Sequence, residues 1–173
     1  MKQLAIIFVL FIFTSSCIPL RIAPDIEDYK IQVAKKFKRK LPDNYAFIFE
    51  DPKEADEFYH FINLKFELNN ENVEQNVPLI INDEKYFLSF YETVIPTKML
   101  DLSSVLFEAA ITAAVGEQDT FVGEVEVTRD DSWYLVLTVC DANSKDCLKP
   151  SHQSRASILK YLTELKTEYL YYF

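Results

Sequence analysis

Two spacings of apolar residues alternate along this chain, and the switches between them mark its elements. Across residues 26–41, Ile26, Tyr29, Val33 and Phe37 recur at helical spacing, and Pro42 follows, so the pattern predicts a helix there. Residues 45–50 are a short apolar run that reads as a strand. A second helix is predicted from Asp51 as N-cap, with Pro52 in its first turn and Glu54 closing a capping box. Ala55, Phe58, Tyr59 and Ile62 form its stripe, and it ends before Asn69 and Asn70. The polar tract 69–76 reads as a loop. Residues 77–81 and 86–95 read as two strands joined across Asn82-Asp83; the second is aromatic on both faces, which places it centrally in a sheet.

The pattern continues with a third helix over 101–115, Asp101 as its cap and Gly116 just past its end. Strands are predicted over 121–128 and 133–140, with 129–132 turning the chain between them. A last helix over 151–170 carries Ile158, Leu162, Leu165 and Tyr169 as a narrow apolar stripe. The order α-β-α-β-β-α-β-β-α predicts an α+β domain: a mostly antiparallel sheet of about five strands with about four helices packed on it. No internal repeat or second domain is visible, so residues 25–173 are taken as one globular domain.

Residues 1–24 do not belong to that pattern. Lys2 precedes an apolar run over 4–13, followed by Thr14-Ser15-Ser16 and Cys17. As a helix, such a run spans about 15 Å, half of a bilayer core, so it reads as a secretory signal peptide over 1–16 and not as a membrane span. Thr14-Ser15-Ser16-Cys17 resembles the lipobox of bacterial lipoproteins, with Thr14 where Leu is commonest. The resemblance implies cleavage before Cys17 and a lipid on its thiol; residues 17–24 then form a tether. The chain as a whole resembles the small envelope lipoproteins of unknown function of double-membrane bacteria. This implies a membrane partner through the anchor and brings no activity with it. Ile18, rather than Asp, after the lipid cysteine implies the outer membrane, facing the periplasm.

Charge separates the anchor region from the body. Residues 21–42 carry a net +4, while residues 43–173 carry a net −14. The acidic body excludes a nucleic-acid partner. Lys35, Lys36, Lys38, Arg39 and Lys40, close after the anchor, either form a solvated cationic face or lie against anionic headgroups.

Export permits a disulfide between Cys140 and Cys147. A metal site or redox pair is the alternative, but the spacing is not Cys-x-x-Cys and no clustered histidine stands nearby. With two glycines and two histidines in 173 residues, phosphate-cradling loops and imidazole-rich metal sites cannot be written, and no cofactor is implied. His60 reads as a boundary residue. His152, beside Ser151, lacks a visible orienting carboxylate. The loop 141–146 has oxygen ligands at calcium-like spacing, but Lys145 occupies a ligand position, so it reads as a solvated hairpin tip.

Function is therefore left between two classes. The first is a non-catalytic binding or accessory module that engages another envelope protein or a small ligand. Its candidate contacts are Trp133 and Tyr134 beside the predicted turn and Tyr171, Tyr172 and Phe173 at the end. That aromatic end resembles the terminal signal of outer-membrane barrels, but helical spacing precedes it. The alternative is an envelope hydrolase built on dispersed carboxylates.

Overall fold

The computed structural model describes residues 17–21, 23–101 and 126–172. The signal segment, Phe173 and, apart from Asp101, the predicted helix over 101–115 lie outside them. The chain divides into two compact units, one of residues 1–24 and 95–132, the other of residues 25–94 and 133–173.

In the smaller unit, β1 (Cys17–Arg21) pairs antiparallel with the end of β5 (Glu84–Asp101), from Cys17↔Asp101 to Arg21↔Lys98. The predicted tether thus begins as a strand. Pro19 is compatible with this because β1 is an edge strand. The backbone of Ala23 donates to Thr97 Oγ1 at 3.0 Å.

The larger unit holds β2 (Lys30–Val33), α1 (Ala34–Phe37), β3 (Tyr45–Glu50), α2 (Glu57–Lys65), β4 (Val77–Ile81), the first part of β5, the last part of β6 (Glu126–Asp141) and α3 (Arg155–Tyr171). β4 pairs with β5, β5 neighbours β6, β6 pairs with β3 and β3 with β2; every pairing with a described register is antiparallel. The class is the α+β expected. Among the described residues there are three helices rather than about four, and α1 is a single turn.

Alternation sorts the strands onto two faces. Phe47 and Phe49 of β3 stand opposite Leu137 and Leu135 of β6. Leu79 and Val77 of β4 stand opposite Tyr86 and Leu88 of β5. These side chains, with Phe90 and Val139, pack against Phe58, Phe61 and Ile62 of α2 and Ile158, Leu162, Leu165 and Tyr169 of α3. All four residues of the predicted α3 stripe are buried. Ala46, Ile48, Tyr134 and Val136, which alternate with the core residues, are buried as well. That burial explains why β3 and this part of β6 read as continuous apolar runs. The β4–β5 hairpin turns where predicted, with Asn82 and Asp83 both at positive φ, as a two-residue type I′ connection requires.

Three predicted elements are corrected. Residues 30–33 are a strand, not helix: Ile31 and Val33 pair with Phe47 and Tyr45, and Tyr29 stacks on Phe47 at 4.4 Å. β-branched residues beside an open sheet edge override a helical spacing that recurred by coincidence. The second helix begins at Glu57, not beside Asp51; Asp56 precedes it in the left-handed region and Ala55 is exposed. The predicted turn at 129–132 is instead continuous β6, which runs 16 residues. Arg129-Asp130-Asp131-Ser132 contains neither glycine nor asparagine, the residues that reach positive φ most readily in a tight hairpin. No helix among the described residues is long and apolar enough to cross a membrane.

Candidate functional site

The two cysteines are free thiols in this structure, which corrects the predicted disulfide. Register gives the reason. Cys140 bridges to Asp146, and the amide of Cys147 donates to the carbonyl of Val139 at 2.9 Å. Cys147 therefore stands across from Val139 and shares its core face, while Cys140, one residue on, faces the other way. Asn44 Nδ2 donates to Cys140 Sγ at 3.8 Å, and Cys147 Sγ donates to the Lys145 carbonyl at 3.4 Å. Burial, with Asp141 and Cys140 nearby, pushes the Cys147 thiol up to about 12; burial and Asp146 raise Cys140 too. Neither is poised as a thiolate.

The basic segment does not form one cationic helix face. Lys35, Lys36, Arg39 and Lys40 are exposed, but the Lys38 ammonium turns back to Thr93 Oγ1 at 2.5 Å and the Val94 carbonyl at 3.1 Å. Among the aromatic candidates, Trp133 is 41% exposed, whereas Tyr134 is 1% exposed and packs edge-on against Phe37 at 5.1 Å. Strand alternation accounts for the split, and Tyr134 is no contact candidate. The corresponding pair at the end of α3 is open: Tyr171 is 74% and Tyr172 40% exposed. Phe173 lies outside the described residues.

The end of α3 also gathers chemistry that local sequence does not reveal. Tyr169 is buried among Phe49, Phe58 and Phe61, and its hydroxyl donates to both Asp51 carboxylate oxygens at 3.0 Å. Lys53 Nζ donates to the Tyr169 carbonyl at 2.8 Å and the Tyr172 carbonyl at 2.5 Å, and lies 4.6 Å from the Tyr169 ring centroid. Burial raises the Asp51 carboxyl above its usual range despite hydrogen bonds from Lys53 and Tyr169. Glu92 is raised as well, by burial and then by the nearby Asp56, Asp51 and Glu74, against one hydrogen bond from the Asp56 amide. Its Oε1 is buried and has no hydrogen-bond partner among the described residues. Burial and Asp51 push the Tyr169 hydroxyl far up, so it remains a donor.

Two of the hollows among the described residues of this unit bring polar side chains of the sequence candidates and of the asparagine tract together. The first, about 530 Å³, is lined by Asp141, Lys145, Asp146, Lys149, Ser151, His152 and Gln153. Its carboxylates serve the hairpin tip: Asp141 Oδ1 accepts from the amides of Asn143 (2.8 Å) and Lys145 (2.9 Å), and Asp146 accepts from those of Tyr45 and Leu148. These bonds hold the Asp141 carboxyl below its usual range. His152 Nδ1 accepts from the Ser154 amide at 3.2 Å, while Nε2 lies 4.0 Å from Asp141 Oδ2, beyond hydrogen-bond distance. Among the described residues the Ser151 hydroxyl makes no hydrogen bond to His152, the contact a Ser-His pair needs. The second hollow, about 270 Å³, is lined by Tyr59, Asn70, Asn72, Val73, Glu74 and Gln75. His60 is exposed, edge-on to Tyr59. No group of three or more His, Cys, Asp or Glu side chains among the described residues is placed to hold a metal ion.

No family model, curated protein or solved structure matches the chain.

Proposed function

We propose that this chain is a lipid-anchored protein of the bacterial envelope, held through Cys17 at the outer membrane and facing the periplasm, and that its domain is a non-catalytic binding module. The observation that carries the binding role is the aromatic end of α3. Tyr171 and Tyr172 stand out from the surface there; Tyr172 faces Phe61 at 5.4 Å, and Leu64, one helical turn beyond Phe61, is 61% exposed. Large side chains at the edge of a rigid core are favoured anchors for a protein partner, because little order is lost when they are covered.

Two measurements test this reading. Labelled fatty acid should mark the wild-type chain and not Cys17→Ala; equal labelling of both removes the anchor. Crosslinking in intact envelopes should trap one partner protein with wild type, and Tyr171→Ser with Tyr172→Ser should lose it while the fold persists. Undiminished crosslinking in the double variant removes the docking surface.

One observation favours the hydrolase as a second reading. The Glu92 carboxyl is raised above the usual range beside Asp51, the condition of a general acid in sugar cleavage. Turnover of a glycoside, abolished by Glu92→Gln without unfolding, would replace the binding module with that reading.

A further inference from the structure

The smaller of these hollows differs in chemistry from the aromatic end of α3. Its wall is the turn between α2 and β4, and this turn is pinned throughout. The amides of Leu68, Glu71 and Gln75 donate to the carbonyls of Asn63, Leu68 and Asn72. The Phe90 amide donates to the Glu74 carbonyl at 2.9 Å, the Asn76 amide donates to Ser89 Oγ at 3.1 Å, and Val73 is buried in the core. Asn69, Asn70, Asn72 and Asn76 all hold positive φ, between 51° and 64°. Asparagine is among the few residues other than glycine that take this conformation routinely, and here it brings a carboxamide to each such position.

The hydrogen-bonding capacity of these groups is largely unspent. Asn63 and Asn70 form a reciprocal pair: Asn63 Nδ2 donates to Asn70 Oδ1 at 3.0 Å, and the Asn70 amide donates to Asn63 Oδ1 at 2.8 Å. Asn70 Nδ2 is left as a donor. The side-chain amides of Asn72 and Gln75, the Glu74 carboxylate and the Tyr59 hydroxyl make no hydrogen bond among the described residues. The Tyr59 ring is half-buried beside them.

We propose that this hollow binds a neutral sugar ring. No cation lines it and Glu74 does, so a phosphate or carboxylate ligand would meet repulsion and find no counter-charge. Tyr59 and Val73 alone are apolar among six lining residues, too few for a lipid chain. A pyranose matches both parts of the wall. Adjacent hydroxyls each donate and accept, as carboxamides do, so one amide can hold a vicinal pair through its nitrogen and oxygen. Glu74 accepts a further hydroxyl proton, and the C–H face of the ring covers Tyr59. The site shares no lining residue with the aromatic end of α3, and the assignment stands whether or not that end docks a protein.

Saturation-transfer NMR on the full chain tests it, with glucose, galactose, mannose and N-acetylglucosamine as probes and inorganic phosphate and an acetylated, amidated tripeptide as competitors. Transfer to the C–H face of one of the sugars is expected, with a dissociation constant on the order of 1 mM. Neither competitor should displace it. Asn72→Gly, which keeps the positive φ of that position, and Gln75→Ala, both at exposed positions, should each weaken binding about tenfold, the loss of one hydrogen-bonded group, with unchanged circular dichroism. Tyr59→Leu should abolish transfer while its apolar bulk keeps the core filled. The proposal is overturned if none of the four sugars shows transfer at about 10 mM, if the Asn72 and Gln75 variants both bind like wild type, or if the tripeptide displaces the sugar.

Discussion

The two ends of α3 are closed by different kinds of contact. At the C-terminal end, Lys53, 116 residues away in sequence, reaches the Tyr169 carbonyl, and Tyr169 is surrounded by rings from β3 and α2. The helix's exposed carbonyls therefore meet a cation, as the helix dipole favours. At the N-terminal end, Ser154 makes no side-chain cap and no acidic residue stands in the first turn. Two of the hydrogen bonds there are local: Arg155 Nε donates to the Leu148 carbonyl at 3.0 Å, seven residues back, and the Ser154 amide donates to His152 Nδ1; a third comes from the β4–β5 turn, Asn82 Nδ2 donating to Ser157 Oγ at 3.2 Å on the exposed rim. The C-terminal end is held by a buried aromatic cluster and a cation, the N-terminal end by hydrogen bonds at its rim. Stability should be concentrated where distant parts of the chain converge.

The largest expected effect follows directly. Tyr169→Ala removes a buried ring in contact with three phenylalanines and should cost about 3–5 kcal/mol in urea unfolding. Arg155→Ala, at the other end, loses one half-buried hydrogen bond and should cost about 1 kcal/mol. Equal costs would break the comparison.

A smaller effect sharpens it through pH. Asp51 and Glu92 both have folded-state pKa values above those of the unfolded chain, so between the two values the folded chain binds more protons. Their contribution is therefore complete at low pH and is lost as pH rises through the raised values. Glu92→Gln cannot ionise. It should match wild type well below the usual glutamate value of 4.5 and exceed it at neutral pH. Glu92 is only half-buried, so solvent screening keeps the gain small. A gain that is the same at both pH values would show that charge is not its source.

The same contrast governs what the sequence makes legible. The α3 stripe, β3 and the β4–β5 hairpin are readable because each is specified by its own residues: spacing, a continuous apolar run, and Asn82-Asp83. The strand at 30–33 is not, since its character comes from β3, which it pairs with. Asp51 reads as a helix cap because a local rule cannot see Tyr169, 118 residues further on, whose hydroxyl claims that carboxylate. The free thiols turn on a one-residue register that spacing alone does not reveal. The asparagine tract 69–76 is legible as a loop, and its repeated carboxamides are the available signal for the hollow. Which of them remain unpaired depends on Asn63 in α2.

The smallest effect tests the uncapped end itself. The first-turn amides of α3 carry partial positive charge, and no side-chain carboxylate on that turn answers it. Ala156 is exposed in that turn, so Ala156→Glu adds a negative charge without disturbing packing. Alanine is the better helix former, so the charge is isolated by comparing Ala156→Glu with Ala156→Gln, which has nearly the same propensity and shape. The glutamate should be the more stable of the two by about 0.5 kcal/mol, with a melting temperature about 1–2 °C higher. At Thr167, on the exposed surface of the last turns, the order should reverse. Thr167→Glu sets its charge against the dipole and beside Glu168, and should fall below Thr167→Gln by a similar amount. Both differences should shrink as salt is raised from about 0.01 M to about 1 M, because exposed charges are screened over that range. Thermal melts of the two pairs at both salt concentrations decide the matter. Differences of the same sign, or differences that ignore salt, would mean that the two ends of α3 differ in packing alone and not in electrostatics.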